Sequence, residues 1–312
     1  MKIAVVGTGI ISGRHLDAIV NSPNCRLSAV CDISEEVVKA VAEKYGVPYF
    51  TDYTRIPDGC DADAVILNLP HWLHCEVAEF FLDRGLHVLV EKPMANSPAE
   101  CKRMIAAQKR SGKCLAVAHP QGFSAASRYI KQVTENKELG QLYMISEFRS
   151  DNYFRAARPK WFLKKALAGG GIVMNFGAHS LDRLFYITGS RPARISATMG
   201  NLKTNDDIEG HAQIAVEMEN GVSASITLCG YGDYGRETYY YFTQGALKVR
   251  DFSHVYRLEE GEWAEVKLPV LDTPIALEIE EFCKLVAGQP SLIPSGEYGL
   301  AVIENIYKLY SC

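Results

Sequence analysis

A glycine turn near the start of the chain restricts the fold more than any other feature. The apolar run Lys2–Val6 ends at Gly7-Thr8-Gly9-Ile10-Ile11-Ser12, and helical periodicity follows. In a strand–turn–helix of this form, the first glycine permits the tight turn and the second lets the backbone approach a pyrophosphate. The helix N-terminus supplies N–H donors and the positive end of its dipole. The residues predicted to contact a dinucleotide are Gly7, Thr8, Gly9, Ile10 and Ile11.

An acidic residue follows at the spacing that a dinucleotide site requires. Asp32 stands 20 residues after Ser12, at the end of the second apolar run. A carboxylate there accepts hydrogen bonds from both hydroxyls of an adenosine ribose and repels a 2′-phosphate. The sequence therefore favours NAD over NADP as the cofactor. The alternative is that the glycines form a structural turn and that Asp32 caps a helix.

The two halves of the chain differ in the order of their elements. Over residues 1–120, apolar runs alternate with amphipathic helices, which predicts an α/β Rossmann domain with a doubly wound parallel sheet. Beyond residue 120, strand-like runs follow one another without intervening helices, which predicts an α+β domain over 121–312 with an open-faced, mainly antiparallel sheet. Helices are predicted at 122–136, 172–187, 275–287 and Gly296–Tyr310.

Composition excludes several classes of protein. Apolar residues make up 47% and charged residues 22% of the chain, so it is not expected to be disordered. A net charge of −4 favours neither nucleic acid nor an anionic membrane as a partner, and there is no apolar run long enough to span a membrane. The nine cysteines include no C-x-x-C pair, so no disulfide framework and no metal site are expected. We predict a cytoplasmic protein.

Three residues are candidate catalytic residues. Asn175 and His179 are four residues apart on a predicted helix, so they are expected to share a face. A histidine is suited to proton transfer near neutral pH. Lys92 lies just past the end of a predicted parallel strand, where open α/β sheets bind ligands. The alternatives are a structural role for His179 and a solvated side chain for Lys92.

Taken together, these motifs resemble the Gfo/Idh/MocA family of oxidoreductases over nearly the whole chain. The motifs that carry the resemblance are the glycine turn with His15, Leu69-Pro70 followed by His74, Glu91-Lys92-Pro93, Trp161 before Gly169-Gly170-Gly171, and the helix with Asn175, Gly177, His179 and Asp182. The resemblance implies NAD(P)-dependent hydride transfer between the cofactor and a hydroxyl of a sugar, polyol or related small molecule.

The resemblance also assigns roles to residues. It implies that Lys92 contacts the reacting hydroxyl, that His179 is the main acid–base group, and that Asn175 stands where the family often has an aspartate. An asparagine orients by hydrogen bonding but takes no proton. The further residues implied at the cofactor are Leu69, Pro70, His74, Glu91, Lys92 and Trp161.

Two other functions, the role of several aromatic residues and the oligomeric state remain open at this point. An NAD-dependent glycoside hydrolase and a non-catalytic dinucleotide sensor are alternatives on the same scaffold. Aromatic residues around Tyr153, Phe154 and Trp161 either line a sugar pocket or pack within the sheet domain. The exposed sheet face needs cover, so a homodimer or homotetramer through this sheet is predicted.

Overall fold

The computed structural model describes residues 1–202 and 207–311. It divides the chain into two compact units. Unit 1 comprises Met1–Pro120 and Asp272–Ile303, and unit 2 comprises Gln121–Leu271 and the residues from Glu304 onward. The expected division at residue 120 therefore differs from the structure in one segment, because 272–303 belongs to the first unit.

Strands and helices alternate in the first part of the chain, and strands predominate in the second. Strands β1 to β14 are Lys2–Val6, Arg26–Cys31, Tyr49–Phe50, Ala64–Leu67, His87–Glu91, Leu115–Ala118, Leu142–Asn152, Pro192–Gly200, His211–Met218, Ser223–Cys229, Tyr231–Phe242, Gly245–Arg250, His254–Glu259 and Glu262–Val266. Helices α1 to α10 are Ser12–Asn21, Glu35–Tyr45, Ile56–Gly59, His74–Asp83, Pro98–Ser111, Ala125–Asn136, Lys165–Ala168, Ala178–Thr188, Pro274–Val286 and Gly296–Tyr310. A π-helix, Val173–Gly177, directly precedes α8.

Unit 1 contains a parallel sheet in the order β3-β2-β1-β4-β5-β6. Its inner strands are buried on both faces, which explains why they are continuous apolar runs and not alternating ones. The strand order reverses at β1, whose neighbours are β2 and β4. This is the switch point where doubly wound sheets bind ligands, and the prediction of a Rossmann sheet is confirmed.

Helix α9 belongs to unit 1 because its apolar face completes the core of that unit. Ile279 and Phe282 are fully buried in a cluster that also contains Leu16 and Ile19 of α1. Glu280, on the same helix, accepts hydrogen bonds from Ser22 and Asn24. The local pattern predicts the helix correctly, but it does not specify which sheet covers the apolar face.

Unit 2 contains an eight-stranded sheet in the order β14-β13-β12-β11-β7-β10-β9-β8. Its strands pair antiparallel except for β7 with β10, which confirms the predicted second sheet. One face is apolar and buried: along β9, Ala212, Ile214 and Val216 are buried while Gln213 and Ala215 are exposed.

Two element boundaries differ from expectation. The predicted helix 172–187 is a π-helix followed by α8. The predicted helix 122–136 begins only at Ala125, because the Ser124 hydroxyl accepts a hydrogen bond from the Ser127 N–H and caps the helix there.

Among the described helices, none is long and apolar enough to cross a membrane.

The described cysteines are all free thiols. Four of them, Cys31, Cys75, Cys101 and Cys283, are buried, and the other four are half-buried. Cys312 lies outside the described residues.

Candidate functional site

The glycine turn has the geometry that a dinucleotide requires. Gly7 has a φ of 91°, and a Cβ there would lie 2.3 Å from the carbonyl oxygen of Asn68, so only glycine fits. A Cβ on Gly9 would meet nothing within 4 Å, so its backbone is open to a ligand. The first helix begins at Ser12, directly after this open backbone. The turn therefore fits a pyrophosphate, which would bind against Gly9 and the N-terminus of α1.

Hydrogen bonds hold the Asp32 carboxylate at the carboxyl end of β2. Its Oδ2 accepts from the Thr8 N–H at 2.8 Å and from the Thr8 hydroxyl at 3.0 Å. Its Oδ1 accepts from the Ser34 N–H at 3.0 Å. The bond from Ser34 closes the turn into α2, as the structural alternative expects, and the two bonds from Thr8 tie the carboxylate to the glycine turn. They also fix a carboxylate that has further lone pairs for ribose hydroxyls.

The charges around Asp32 are unfavourable for a 2′-phosphate. Ile33 follows Asp32 and is 93% exposed, so no basic side chain stands at that position. Glu35 and Glu36 follow in the first turn of α2. A 2′-phosphate would meet carboxylates here, whereas ribose hydroxyls would find acceptors.

Asn68 is a site residue that the sequence analysis missed. It follows β4 directly, it is 9% exposed, and its carbonyl oxygen contacts the glycine turn. Neither polar atom of its side-chain amide has a hydrogen-bond partner among the described residues. A buried unsatisfied amide beside an open backbone indicates a ligand that completes its hydrogen bonds. A polar residue at the end of an otherwise apolar strand was the available signal.

His74 joins two loops of unit 1 and does not face the surface. Its ring is fully buried, with Nδ1 2.9 Å from the Pro93 carbonyl oxygen and Nε2 2.9 Å from that of Leu69. Burial lowers the pKa of His74, and the two carbonyl oxygens oppose that shift. In the structure the His74 ring links the loops after β4 and β5, and its implied contact with the cofactor stays a prediction.

Glu91 is likewise turned inward. Its Oε1 lies 2.9 Å from Nε2 of the fully buried His15, and its Oε2 accepts from the Lys92 backbone N–H at 3.1 Å. Burial raises the pKa of Glu91, but the hydrogen bond and charge of His15 and the charge of Lys92 lower it further, so the net shift is downward. The carboxylate fixes the backbone at the half-buried Lys92.

The Glu209 carboxylate fixes the backbone at the start of the π-helix in unit 2. Glu209 Oε1 accepts hydrogen bonds from the N–H groups of Gly171 and Val173, at 2.9 and 2.8 Å, and from the Tyr310 hydroxyl at 2.8 Å. A Cβ on Gly171 would lie 2.1 Å from the Glu209 carbonyl oxygen, and one on Gly170 would lie 1.9 Å from the Tyr310 hydroxyl. The glycine run is therefore needed for close packing at the start of the π-helix. Sequence analysis found neither Glu209 nor Tyr310.

The π-helix carries Asn175, and His179 follows in the first turn of α8. The Tyr153 hydroxyl is hydrogen-bonded to the Asn175 side chain. Burial raises the pKa of Tyr153 to about 12, so the phenol stays protonated and holds the amide. The α-helical spacing used to pair Asn175 with His179 does not apply across a π-helix, which is often found at functional sites. His179 is half-buried.

Aromatic side chains of unit 2 pack against one another beside Asn175. Tyr153 is 1% exposed, and its ring meets Phe154 at 5.6 Å and Phe176 at 5.5 Å. The half-buried Trp161 stacks on Phe162 with ring centroids 3.7 Å apart. Packing, the second alternative, therefore accounts for Tyr153.

Two arginines of unit 2 are buried and differ in their partners. The guanidinium of Arg183 lies 2.5 Å from Glu147 Oε1. Arg158 is 8% exposed, and within residues 1–202 and 207–311 it forms no ion pair and its Nε has no hydrogen-bond partner. It stacks on the Tyr153 ring at 3.9 Å. An unpaired buried charge costs several kcal/mol, of which a cation–π contact returns about 2 kcal/mol.

Family models identify the chain. The model described as an oxidoreductase family with an NAD-binding Rossmann fold matches residues 1–119, and the model of the Gfo/Idh/MocA C-terminal domain matches residues 127–248. The chain belongs to the Gfo/Idh/MocA family. The predicted family, the oxidoreductase class and the NAD-binding Rossmann domain of this member are thereby confirmed.

Individual relatives of this Gfo/Idh/MocA protein are distant. It is 24% identical to the D-glucoside 3-dehydrogenase of Escherichia coli (strain K12), over 99% of this chain and 94% of the relative. It is 28% identical to the 1-carboxy-3-chloro-3,4-dihydroxycyclo hexa-1,5-diene dehydrogenase of Comamonas testosteroni, over 76% of this chain but only 60% of that relative's length. The aldose–aldose oxidoreductase of Caulobacter crescentus, solved with glycerol, shares the fold at a TM-score of 0.91 and 23% identity, over 100% of this chain and 96% of that one. None of these relatives is named as a hydrolase or a sensor.

Proposed function

We propose that the protein is a dehydrogenase that uses NAD to oxidise a hydroxyl of a sugar, polyol or related compound. The observation that carries the proposal is the fixed Asp32 carboxylate beside the open backbone of Gly9, with the backbone at Lys92 held by Glu91 in the same unit. We assign cofactor contacts to the glycine turn, Asp32 and the unsatisfied amide of Asn68. The other cofactor contacts that the resemblance implies also remain part of this proposal: Leu69, Pro70, His74, Glu91, Lys92 and Trp161.

The protein's residues then manage the proton of the reacting hydroxyl. Bound NAD supplies the hydride acceptor. The ammonium of Lys92 contacts the hydroxyl oxygen and stabilises negative charge there, and His179 accepts the proton as a general base. Asn175 orients by hydrogen bonding, and the Tyr153 hydroxyl holds its amide. A carboxylate-assisted proton relay is not available at this position, because an amide does not take up a proton.

The test is NADH formation, followed by absorbance, with NAD or NADP and a panel of sugars, polyols and sugar acids. We expect one substrate class to give NADH and the variants Lys92→Ala and His179→Ala to lose about 10²–10⁴-fold in rate. Lys109→Ala, on the exposed face of α5, and His254→Ala, on exposed β13, are matched controls that should keep full activity.

Each contrary outcome has a distinct meaning. Full turnover by His179→Ala would refute its role as the general base. Release of a leaving group from a glycoside without net NADH would favour the hydrolase. NAD binding with no turnover of any kind across the panel would favour the sensor.

We also propose that the protein forms a homodimer or homotetramer through the exposed face of the unit 2 sheet. This face carries exposed Met144 and Phe148 and the rings of Tyr239, Tyr241 and Trp263. Tyr239 stacks on Tyr241 at 6.2 Å and meets Trp263 at 5.9 Å. An apolar and aromatic face of this kind is typical of an interface between subunits.

The proposed location is the cytoplasm. The described cysteines are free thiols, four of them half-buried, and free thiols persist in a reducing compartment. Fractionation of the source cells, with the protein recovered in the cytoplasmic fraction, is the test.

A further inference from the structure

Arg158 is a buried cation that forms no ion pair with any residue that the structure describes. Its exposed fraction is 8%, and its Nε has no hydrogen-bond partner among the residues described. Its guanidinium instead lies over the rings of Tyr153 and Phe162, at 3.9 and 4.9 Å. An aromatic ring attracts a cation but carries no net charge, so the positive charge is not neutralised.

The neighbouring arginines show how unusual this is within unit 2. Arg183 is as deeply buried but pairs with Glu147. Arg155, three residues before Arg158, is exposed and lies 3.9 Å from Asp151. Arg149 is also buried, stacks on the Phe176 ring at 3.7 Å, and forms no ion pair within the described part of the chain. Two buried cations without an ion-pair partner among the described residues therefore flank the Tyr153–Phe176 ring pair.

The position of Arg158 ties it to the candidate catalytic helix. Its guanidinium covers the ring of Tyr153, and the hydroxyl of that same residue is hydrogen-bonded to the Asn175 side chain. All three residues belong to unit 2. A buried, unpaired guanidinium beside a catalytic element is an arrangement that recognises an oxyanion, because its planar fork binds a carboxylate or phosphate with two hydrogen bonds.

We propose that the substrate of this protein is an anion, a hydroxy compound with a carboxylate group, and that Arg158 binds that carboxylate. This inference rests on the proposed dehydrogenase function and names its substrate class. The pyrophosphate of the cofactor is a second source of an oxyanion, but its place is the glycine turn of unit 1. The contact of Arg158 with Tyr153, whose hydroxyl is hydrogen-bonded to Asn175, therefore favours the substrate.

The first experiment compares matched substrates that differ only in charge, such as glucose with glucuronate and galactose with galacturonate. With saturating NAD, we expect kcat/KM for the acid to exceed that for the neutral sugar by about 10–100-fold, the range for a hydrogen-bonded charge pair. Arg158→Gln should remove this preference mainly through KM and change the neutral sugar by less than about threefold. Arg158→Lys, which keeps the charge but lacks the fork, should lie between the two. Arg155→Gln is the matched surface control and should behave as the wild type.

The outcomes separate this inference from the proposed function. Two results would overturn the inference of an anionic substrate and leave the proposed dehydrogenase function intact. The first is a kcat/KM for neutral sugars that equals or exceeds that for the acids. The second is an equal loss of kcat/KM on both kinds of substrate in Arg158→Gln. If no compound gives NADH, calorimetric titration of NAD-loaded protein with glucuronate and glucose decides independently. If the wild type binds glucuronate more tightly than glucose and Arg158→Gln does not, the inference is supported. Equal affinity of the wild type for the two compounds overturns it.

A cofactor titration distinguishes the two sources of the oxyanion. Arg158→Gln should leave the Kd for NAD within about twofold of the wild type, and an increase of tenfold or more would assign Arg158 to a cofactor phosphate instead. The melting temperature serves as the folding control. It should stay level or rise in Arg158→Gln, because the variant removes a buried unpaired charge.

Discussion

Asp32 is the residue on which the choice of cofactor depends. Its carboxylate accepts three hydrogen bonds from Thr8 and Ser34, so its position is set before any ligand binds. Asp32→Asn keeps the size of the side chain but removes the charge that disfavours a 2′-phosphate. We expect the ratio of kcat/KM for NAD to that for NADP to fall by about 10–100-fold, the range for losing a hydrogen bond to a charged group.

The control for Asp32→Asn is Glu43→Gln, which removes an exposed charge of α2 outside its first turn. Its NAD to NADP ratio should stay close to that of the wild type. An unchanged ratio in Asp32→Asn would show that the carboxylate serves only the turn into α2, as the structural alternative has it.

The buried pair of His15 and Glu91 makes a prediction about pH. The net effect of its surroundings lowers the pKa of Glu91 below its usual value near 4.5. A carboxylate with a lowered pKa in the folded state stabilises the fold above about pH 4.5, and that contribution is lost as the pH falls through the folded-state pKa. Glu91→Gln should therefore be less stable than the wild type at pH 7, and the difference should shrink below pH 4.5.

Denaturant unfolding at several pH values measures this difference directly. Glu43→Gln, an exposed site on α2, provides the baseline for losing a surface carboxylate. A difference in unfolding free energy between the wild type and Glu91→Gln that stays constant from pH 7 to pH 3 would contradict a lowered pKa.

At neutral pH, Glu91→Gln should also reduce kcat, because the carboxylate holds the backbone N–H of Lys92.

Among the elements, the π-helix depends most on contacts from elsewhere in the chain. Its start is fixed by Glu209, which accepts from Gly171, Val173 and Tyr310 through one oxygen. Tyr310→Phe removes one of these bonds and leaves the carboxylate, whereas Glu209→Gln removes the charge that strengthens all of them.

We expect both variants to lower kcat, Glu209→Gln by at least about tenfold and Tyr310→Phe by less, through misplacement of Asn175. The Kd for NAD should not change, because the glycine turn and Asp32 belong to unit 1. Tyr143→Phe, at an exposed tyrosine, is the control. Steady-state kinetics and NAD titration on the same preparations provide the measurement, and a parallel loss of NAD affinity would contradict a local effect.

At the scale of the whole molecule, the exposed sheet face predicts the assembly. Met144→Glu places a charge on this face beside Tyr241, which is its cross-strand neighbour. Burying that charge in an interface costs several kcal/mol, so the variant should be smaller in solution than the wild type. Light scattering with size-exclusion chromatography measures the mass of both.

A second variant separates this effect from misfolding. Leu202→Glu changes an equally apolar and more exposed residue that lies outside the strands of the sheet. It should keep the wild-type mass. A monomeric wild type at micromolar concentration would refute the predicted assembly.

Local pattern was sufficient for much of this protein. The alternation from Lys2–Val6 to Leu115–Ala118 predicts the parallel sheet, and successive strands predict the antiparallel one. The glycine turn and Asp32 identify the dinucleotide half-site, and the combined motifs identify the family. These features are readable because each depends on residues within about 20 positions of one another.

Tertiary structure decided what depends on partners from distant segments. Periodicity marks the apolar face of α9, but only the fold assigns that face to unit 1. His15 meets Glu91 across 76 residues, and Glu209 meets Tyr310 across 101. Local spacing indicates that a residue is polar or apolar, whereas its burial and its counter-charge are set by whatever packs against it. For that reason, the fold alone decided the inward position of His74. It also decided that, among the described residues, the Asn68 amide has no hydrogen-bond partner and the Arg158 guanidinium has no ion-pair partner.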